Sequence, residues 1–183
     1  MKHPYLMLVQ GGPGVGKTTI AKRLSKDLGI DCFSKDSFKE MLYDTIGMPQ
    51  TTESTKIYGR IAIRAMYAAA DEYIKAGKSV MIEAPVEERF AKDELASIIA
   101  SDAIMQVHVQ CDPEVQVQRF GERIETGERH KGHIPTPITI EDARASQARH
   151  APLSDLLTIS VDTTDFSDND YDALLTSLKE ELI

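Results

Sequence analysis

Apolar residues follow two alternating rhythms along the chain: short unbroken runs, and longer stretches where they return every three or four positions. Those are the patterns of buried strands and amphipathic helices. Tyr5-Leu6-Met7-Leu8-Val9 predicts a first strand. Ile20, Ala21, Leu24 and Leu28 predict a helix, with Gly29 at its C′ position. Ile30 to Phe33 predicts a second strand. Ser37 and Glu40 have the spacing of a capping box, predicting a helix that carries Met41 and Leu42 until the Gly47–Thr52 stretch breaks it. A long helix is expected from about Glu53 to Ala76, with Ile57, Ile61, Ala65, Ala69 and Tyr73 on its inner face and Gly77 ending it.

Ser79 to Glu83 predicts a third strand, and Pro85 opens a helical stretch through Phe90, Leu95, Ile98 and Ile99. Ala103 to Val109 is a fourth strand. Asp112-Pro113 then offers an N-cap with proline at N1, starting a helix through Val117, Phe120 and Ile124. From about 126 to 139 the chain turns polar, with several Gly and Pro residues and the basic group Arg129-His130-Lys131-Gly132-His133, and predicts a loop or lid. A helix from about Ile140 to His150, a strand from Leu156 to Val161 and a helix from Tyr171 to Leu182 complete the series. Strands alternating with helices imply an α/β fold, a parallel sheet with helices on both faces and ligands at the carboxyl ends of the strands.

At 183 residues the chain fits one domain spanning 1–183. Its formal net charge of −8 argues against a nucleic-acid groove, which needs a basic stripe. Cys32 and Cys111 lie far apart in apolar stretches and form no metal-ligand pattern, so buried reduced thiols are expected. No cleavable signal fits before the first strand and no apolar run approaches a membrane span, which suggests a cytoplasmic protein.

Between the first strand and the first helix stands Gly11-Gly12-Pro13-Gly14-Val15-Gly16-Lys17-Thr18-Thr19, a G-x-x-x-x-G-K-T sequence in its proper strand–loop–helix context. Glycines let successive backbone N–H groups turn inward as an anion-binding nest, and the following helix adds its positive end. Lys17 has the reach for β- and γ-phosphates, and the Thr18 hydroxyl for Mg²⁺. A nucleoside triphosphate is the expected ligand.

The other strands end in Asp36, Glu83, Asp112 and the Asp162–Asp165 turn. Glu83 suits Mg²⁺ or the attacking group, the alternative being a solvated strand end. Asp36 is either a general base for an attacking hydroxyl or a helix cap. Asp112 reads as the cap before Pro113. Arg119 and Arg123 lie one turn apart and, with Arg129, supply guanidiniums suited to clamping a transferring phosphoryl group; ion pairs with Glu122 and Glu125 are the alternative. Arg60 and Arg64 repeat that spacing on the long helix, to hold an acceptor's anion or to form a solvated face. His130 and His133 have no neighbouring ligand cluster in sequence.

Four stretches, GGPGVGKTT at 11–19, SKDSFKEMLYDTIG at 34–47, SVMIEAP at 79–85 and QRFGERIETGERHKGH at 118–133, give the chain a resemblance to the small P-loop kinases. This group takes in nucleoside monophosphate, shikimate and gluconate kinases, chloramphenicol phosphotransferase, zeta-type toxins, polynucleotide 5′-kinases and the AAA P-loop kinases of mostly unassigned substrate. The resemblance implies a P-loop NTPase three-layer sandwich whose five-stranded sheet has the order 2-3-1-4-5, with a lid. It implies ATP and Mg²⁺ as cofactors, Asp36 as general base, Arg119 and Arg123 near the nucleotide, and VDTTDF at 161–166, including Thr163, as the loop bordering adenine. ATP over GTP rests on this likeness, since no N-K-x-D motif is present. Polynucleotide kinases carry an arginine where Lys39 stands here, which removes a bidentate phosphate grip. No counterpart of the nucleoside monophosphate acceptor pocket is legible. The expected activity is transfer of the γ-phosphate to a hydroxyl of a small-molecule acceptor, with a 5′-hydroxyl polynucleotide kinase and a slowly hydrolysing switch as rivals.

Overall fold

In the computed structural model the described residues are 3–96, 104–126, 130–133 and 137–182. They form β1 (Leu6–Gln10), α1 (Lys17–Leu28), β2 (Cys32–Ser34), α2 (Lys35–Ile46), α3 (Thr52–Lys75) and β3 (Val80–Glu83) in the first half. The second half holds α4 (Glu88–Ala96), β4 (Ile104–Gln110), α5 (Pro113–Thr126), α6 (Ile140–Arg149), β5 (Leu157–Asp162) and α7 (Asp168–Leu182). All strand pairings are parallel, in the order β2-β3-β1-β4-β5. This is the P-loop NTPase architecture, with β1 central and its loop emerging between the two halves of the sheet.

Strand alternation divides the core in two. Met7 and Val9 point to the face covered by α1 and α7, where they meet Ile20, Leu24, Leu174 and Leu178. Leu6 and Leu8 point to the opposite face and pack with Met66, Tyr67 and Ala70 of α3 and Leu95 of α4. Every β1 residue is buried, each large apolar side chain contributing about 2 kcal/mol through removal from water. Burial on both faces explains why residues 6–9 of β1 and 80–82 of β3 read as continuous apolar runs, whereas in β4 the buried polar Gln106 and His108 interrupt the run.

The structure departs from the periodicity in two places that matter. The Ser37–Glu40 capping box does not form: α2 starts at Lys35, directly after β2, with Ser34 at the cap and Asp36 in the first turn. The Ser34 hydroxyl is engaged elsewhere, donating to Glu83 Oε2 at 2.8 Å across the β2–β3 pairing. In α3 the inner face is turned by one position, burying Ala62, Met66, Tyr67 and Ala70 and leaving Ile57 and Ile61 exposed. Only the second half of α3 lies on the sheet; its first half stands beside α2, where Tyr58 meets Tyr43 with ring centroids 5.9 Å apart.

Smaller differences are at element ends. The helix expected from Pro85 begins at Glu88, with Phe90 exposed, and α7 starts three residues before Tyr171 because Ser167 and Asp170 form a capping box. Ile98, Ile99 and Arg129 lie outside the described residues. Both cysteines are free thiols, and burial pushes the Cys32 thiol up to about 12, far from the thiolate range. Among the described residues no helix is long and apolar enough to cross a membrane.

Candidate functional site

The carboxyl ends of β1, β2 and β3 meet in register. Glu83 pairs with Val9 on one side and with Ser34 on the other, so the last residue of β3 sits next to the start of the glycine loop. The loop leaves β1 with Gly11, Gly14 and Gly16 at positive φ. At Gly14 (φ 88°) a Cβ would stand 2.7 Å from the Phe120 ring of α5, so backbone conformation and packing both require glycine. Gly16 caps α1 without any side-chain acceptor, so among the first-turn N–H groups that of Thr19 donates to the Gly16 carbonyl at 3.1 Å and none is taken by a capping side chain.

Lys17, the first residue of α1, is buried, and its ammonium donates to the Gly12 carbonyl at 2.7 Å across the loop. Burial drives its pKa down to about 8, opposed by the Glu83 and Asp36 carboxylates and assisted by Arg123 and Lys35. These groups line one cavity of about 160 Å³ together with Pro13, Thr18, Pro85 and His133. Glu83 is buried there and held by Ser34, not a solvated strand end. The hydroxyl of Thr18 and the carboxylates of Glu83 and Asp36 are hard oxygen donors, which fit Mg²⁺.

The expected arginines separate. Arg123 reaches the cavity around Lys17. Arg119 instead donates to the Thr163 hydroxyl at 2.9 Å and to the Thr163 carbonyl at 2.6 Å. The Thr163 hydroxyl in turn donates to the Val15 carbonyl at 2.7 Å. Arg119 and Thr163 thus clasp the loop at Val15–Gly16 beside the 160 Å³ cavity rather than inside it. Thr19 and Val15 belong to the loop and helix without lining that cavity.

Several residues of the site carry no sequence motif. Gln116 of α5 is fully buried, donates to the Pro13 carbonyl at 2.6 Å and accepts from Gln147 of α6, which also donates to the Cys111 carbonyl. These two glutamines hold the loop from below. The lid histidines, isolated in sequence, meet carboxylates in space. His130 pairs with Asp44 at 3.1 Å and stacks on Tyr43, and His133 pairs with Glu40 at 3.0 Å and meets the same ring edge-on. Residues 130–133 therefore rest on α2, next to the cavity.

A second cavity, of about 540 Å³, adjoins the first and shares Lys35 and Pro85 with it. Its walls are α2 (Lys39), one face of α3 (Lys56, Gly59, Arg60, Ile63, Tyr67) and residues 85–91. This space is absent from any local pattern of the sequence. Arg60 lines it and Arg64 does not.

A family model described as an AAA domain matches residues 6–150. Among solved structures, a proposed kinase from Chloroflexus aurantiacus J-10-fl superposes with a TM-score of 0.85 at 28% identity, over 97% of this chain and 98% of that one. A sugar kinase from Janibacter sp. HTCC2649 superposes with a TM-score of 0.64 at 22% identity, over 96% and 95% of the two chains. A gluconokinase from Sinorhizobium meliloti 1021 gives 0.61 at 18% identity, over 100% and 97%. Among curated proteins none matches this sequence.

Proposed function

The chain belongs to the AAA domain family of small P-loop kinases, and from that premise we propose that it transfers the γ-phosphoryl group of ATP to a hydroxyl of a small-molecule acceptor. One observation carries this reading. Lys17, Asp36, Glu83 and Arg123 converge on a cavity at the strand ends, and a larger cavity adjoins it through Lys35 and Pro85. A switch that only hydrolyses nucleotide has no use for the second space. Two fold relatives are a sugar kinase and a gluconokinase, which agrees with a small hydroxylated acceptor.

In this scheme the glycine loop and the first turn of α1 bind the triphosphate, and Lys17 leaves the Gly12 carbonyl for a phosphate oxygen. Thr18 and Glu83 would hold Mg²⁺, which neutralises phosphate charge when bound. Asp36 takes the proton of the acceptor hydroxyl as its oxygen bonds to the γ-phosphorus. The bond from that phosphorus to the β,γ-bridging oxygen breaks, and ADP leaves. Arg123 offsets the charge spread over the transferring group, and the docked 130–133 segment excludes water.

The test is ADP production from Mg²⁺-ATP, alone and with pooled hydroxylated metabolites, nucleosides, antibiotics and 5′-hydroxyl oligonucleotides, with Lys17→Ala as blank. A small-molecule pool that accelerates ADP release in the wild type alone is the expected result. In that pool Asp36→Asn loses roughly two to four powers of ten in kcat while ATP affinity stays within a few-fold. Release indifferent to every pool, or full activity of Asp36→Asn, refutes the assignment.

A further inference from the structure

The second cavity carries a marked excess of cations. Lys35, Lys39, Lys56, Arg60 and Arg89 line it against the single carboxylate of Glu87, in a chain whose net charge is −8. Glu87 is consumed by Arg89, at 2.8 Å. Among the described residues Arg60 pairs only with Glu53, at 3.4 Å, with both side chains largely exposed, a pairing that water screens. Among the described residues Lys56 has no ion pair, and Lys39 has only the Tyr43 ring, 5.7 Å away. Lys35 is disfavoured as a cation by burial and then by Lys39. His150, also on the wall, is pushed below the ordinary histidine range by burial and adds no charge near neutrality.

A second feature points to the same space. Gly59 lies inside α3, where glycine costs about 1 kcal/mol relative to alanine. A Cβ there would meet nothing within 4 Å, so no packing demand explains the residue. Lying between Lys56, Arg60 and Ile63 on the helix face that borders the cavity, it keeps the backbone open to an occupant. Ile63, Tyr67 and Val86 supply an apolar surface for the body of that occupant.

We propose that the acceptor of the phosphotransfer reaction is an anionic hydroxyl compound, whose carboxylate or phosphate-monoester group is held by Lys39, Lys56 and Arg60. This rests on the kinase reading above and names the substrate class for it. Lys39 follows Asp36 by one turn of α2, so the anion and the reacting hydroxyl sit at opposite parts of one small molecule, with the hydroxyl on the Asp36 side. The clustered cations then do two things. They favour the anion over neutral hydroxyl compounds, and they orient it so that the hydroxyl rather than the charged group faces the γ-phosphate. A polynucleotide is the less favoured occupant, because the chain's net charge is −8 and a phosphate backbone needs a long basic stripe.

The experiment is calorimetric titration of protein loaded with the non-hydrolysable analogue AMP-PNP and Mg²⁺, at low ionic strength, so that the phosphate loop is filled and only the second cavity remains for an added anion. The titrants are citrate, glycerol 3-phosphate, glycerol and a short 5′-hydroxyl oligothymidylate. Citrate or glycerol 3-phosphate binds the loaded wild type, and the stronger of the two tells carboxylate from phosphate. The double variant K56Q/R60Q binds it at least tenfold more weakly, and Gly59→Leu, which fills the cavity while suiting a helix, does the same. Arg64→Gln, exposed on the same helix, binds as wild type does. Loaded wild type that takes up neither anion, glycerol binding equally well, unchanged affinity in K56Q/R60Q, or oligothymidylate as the tightest titrant each overturns the proposal. Failure to bind AMP-PNP removes the kinase reading and the proposal together; AMP-PNP binding without anion uptake removes the proposal alone.

Discussion

Lys17 is a cation held where water cannot reach it, and the fold must bear that cost until a phosphate arrives. Burial lowers its pKa from 10.5 to about 8 even with Glu83 and Asp36 nearby. At pH 7 the unfolded chain and the folded chain both hold the proton, so the whole difference in proton affinity, about 3 kcal/mol, stands against folding. Above pH 8 the folded state releases the proton while the unfolded state keeps it to about 10.5. The unfolded state then binds more protons, and stability from this group rises with pH. Between pH 7 and 9.5 the opposing contribution falls by about 2 kcal/mol. Lys17→Met keeps the length of the side chain and removes the titration. The stability of the variant relative to wild type is therefore expected to fall by about 2 kcal/mol over that interval, whatever its value at pH 7. Urea unfolding followed by far-ultraviolet circular dichroism measures this, since other lysines and tyrosines titrate in both proteins and cancel. Parallel stability profiles would refute the claim that the ammonium is held desolvated in the loop. Triphosphate binding carries the complementary signature: above pH 8 association takes up a proton at Lys17.

The supports of the loop are equally testable. Gln116→Leu preserves volume but leaves the Pro13 carbonyl without its donor and removes the acceptor for Gln147, and is expected to cost about 1–3 kcal/mol in urea unfolding and to raise the KM for ATP; unchanged values for both would make the glutamine pair incidental. In Gly132→Ala the new Cβ runs into the Tyr43 ring, displacing the 130–133 segment from α2. Because that displacement uncovers the buried Tyr43 ring and His133, stability is expected to fall by about 1 kcal/mol while kcat falls roughly tenfold; wild-type kcat would mean that this docking has no part in turnover.

How far the molecule could be read from its sequence depends on how local each feature is. The loop from Gly11 to Thr19, the strand runs and the alternation that makes the sheet parallel are written in contiguous residues, and each is present as expected. Glu83 was visible for the same reason: a carboxylate directly after a buried run in a fold whose strand ends all point one way. The Ser37–Glu40 box failed because a local motif competed with a cross-strand bond. Ser34 ends β2 opposite Glu83, and the turn of α2 begins as soon as β2 stops. The inner face of α3 was misplaced because periodicity registers apolar residues, not what they touch. Ile57 and Ile61 have the right spacing, but the half of the helix that carries them never reaches the sheet.

The 540 Å³ cavity is the extreme case. It is assembled from α2, α3, the 85–91 segment and His150, stretches that share no motif and meet only because the sheet order sets β3 between β2 and β1. From spacing alone, Arg60 and Arg64 are equivalent: same residue type, same helix, one turn apart. Which of them faces the cavity depends on the rotation of α3 about its axis, and that rotation is fixed by the burial of Ala62, Met66, Tyr67 and Ala70. The one-position turn that leaves Ile57 and Ile61 exposed also sets Lys56, Gly59, Arg60 and Ile63 along the cavity. Packing at the sheet end of α3 thus aims the charged residues at its other end, and the two cannot be altered independently.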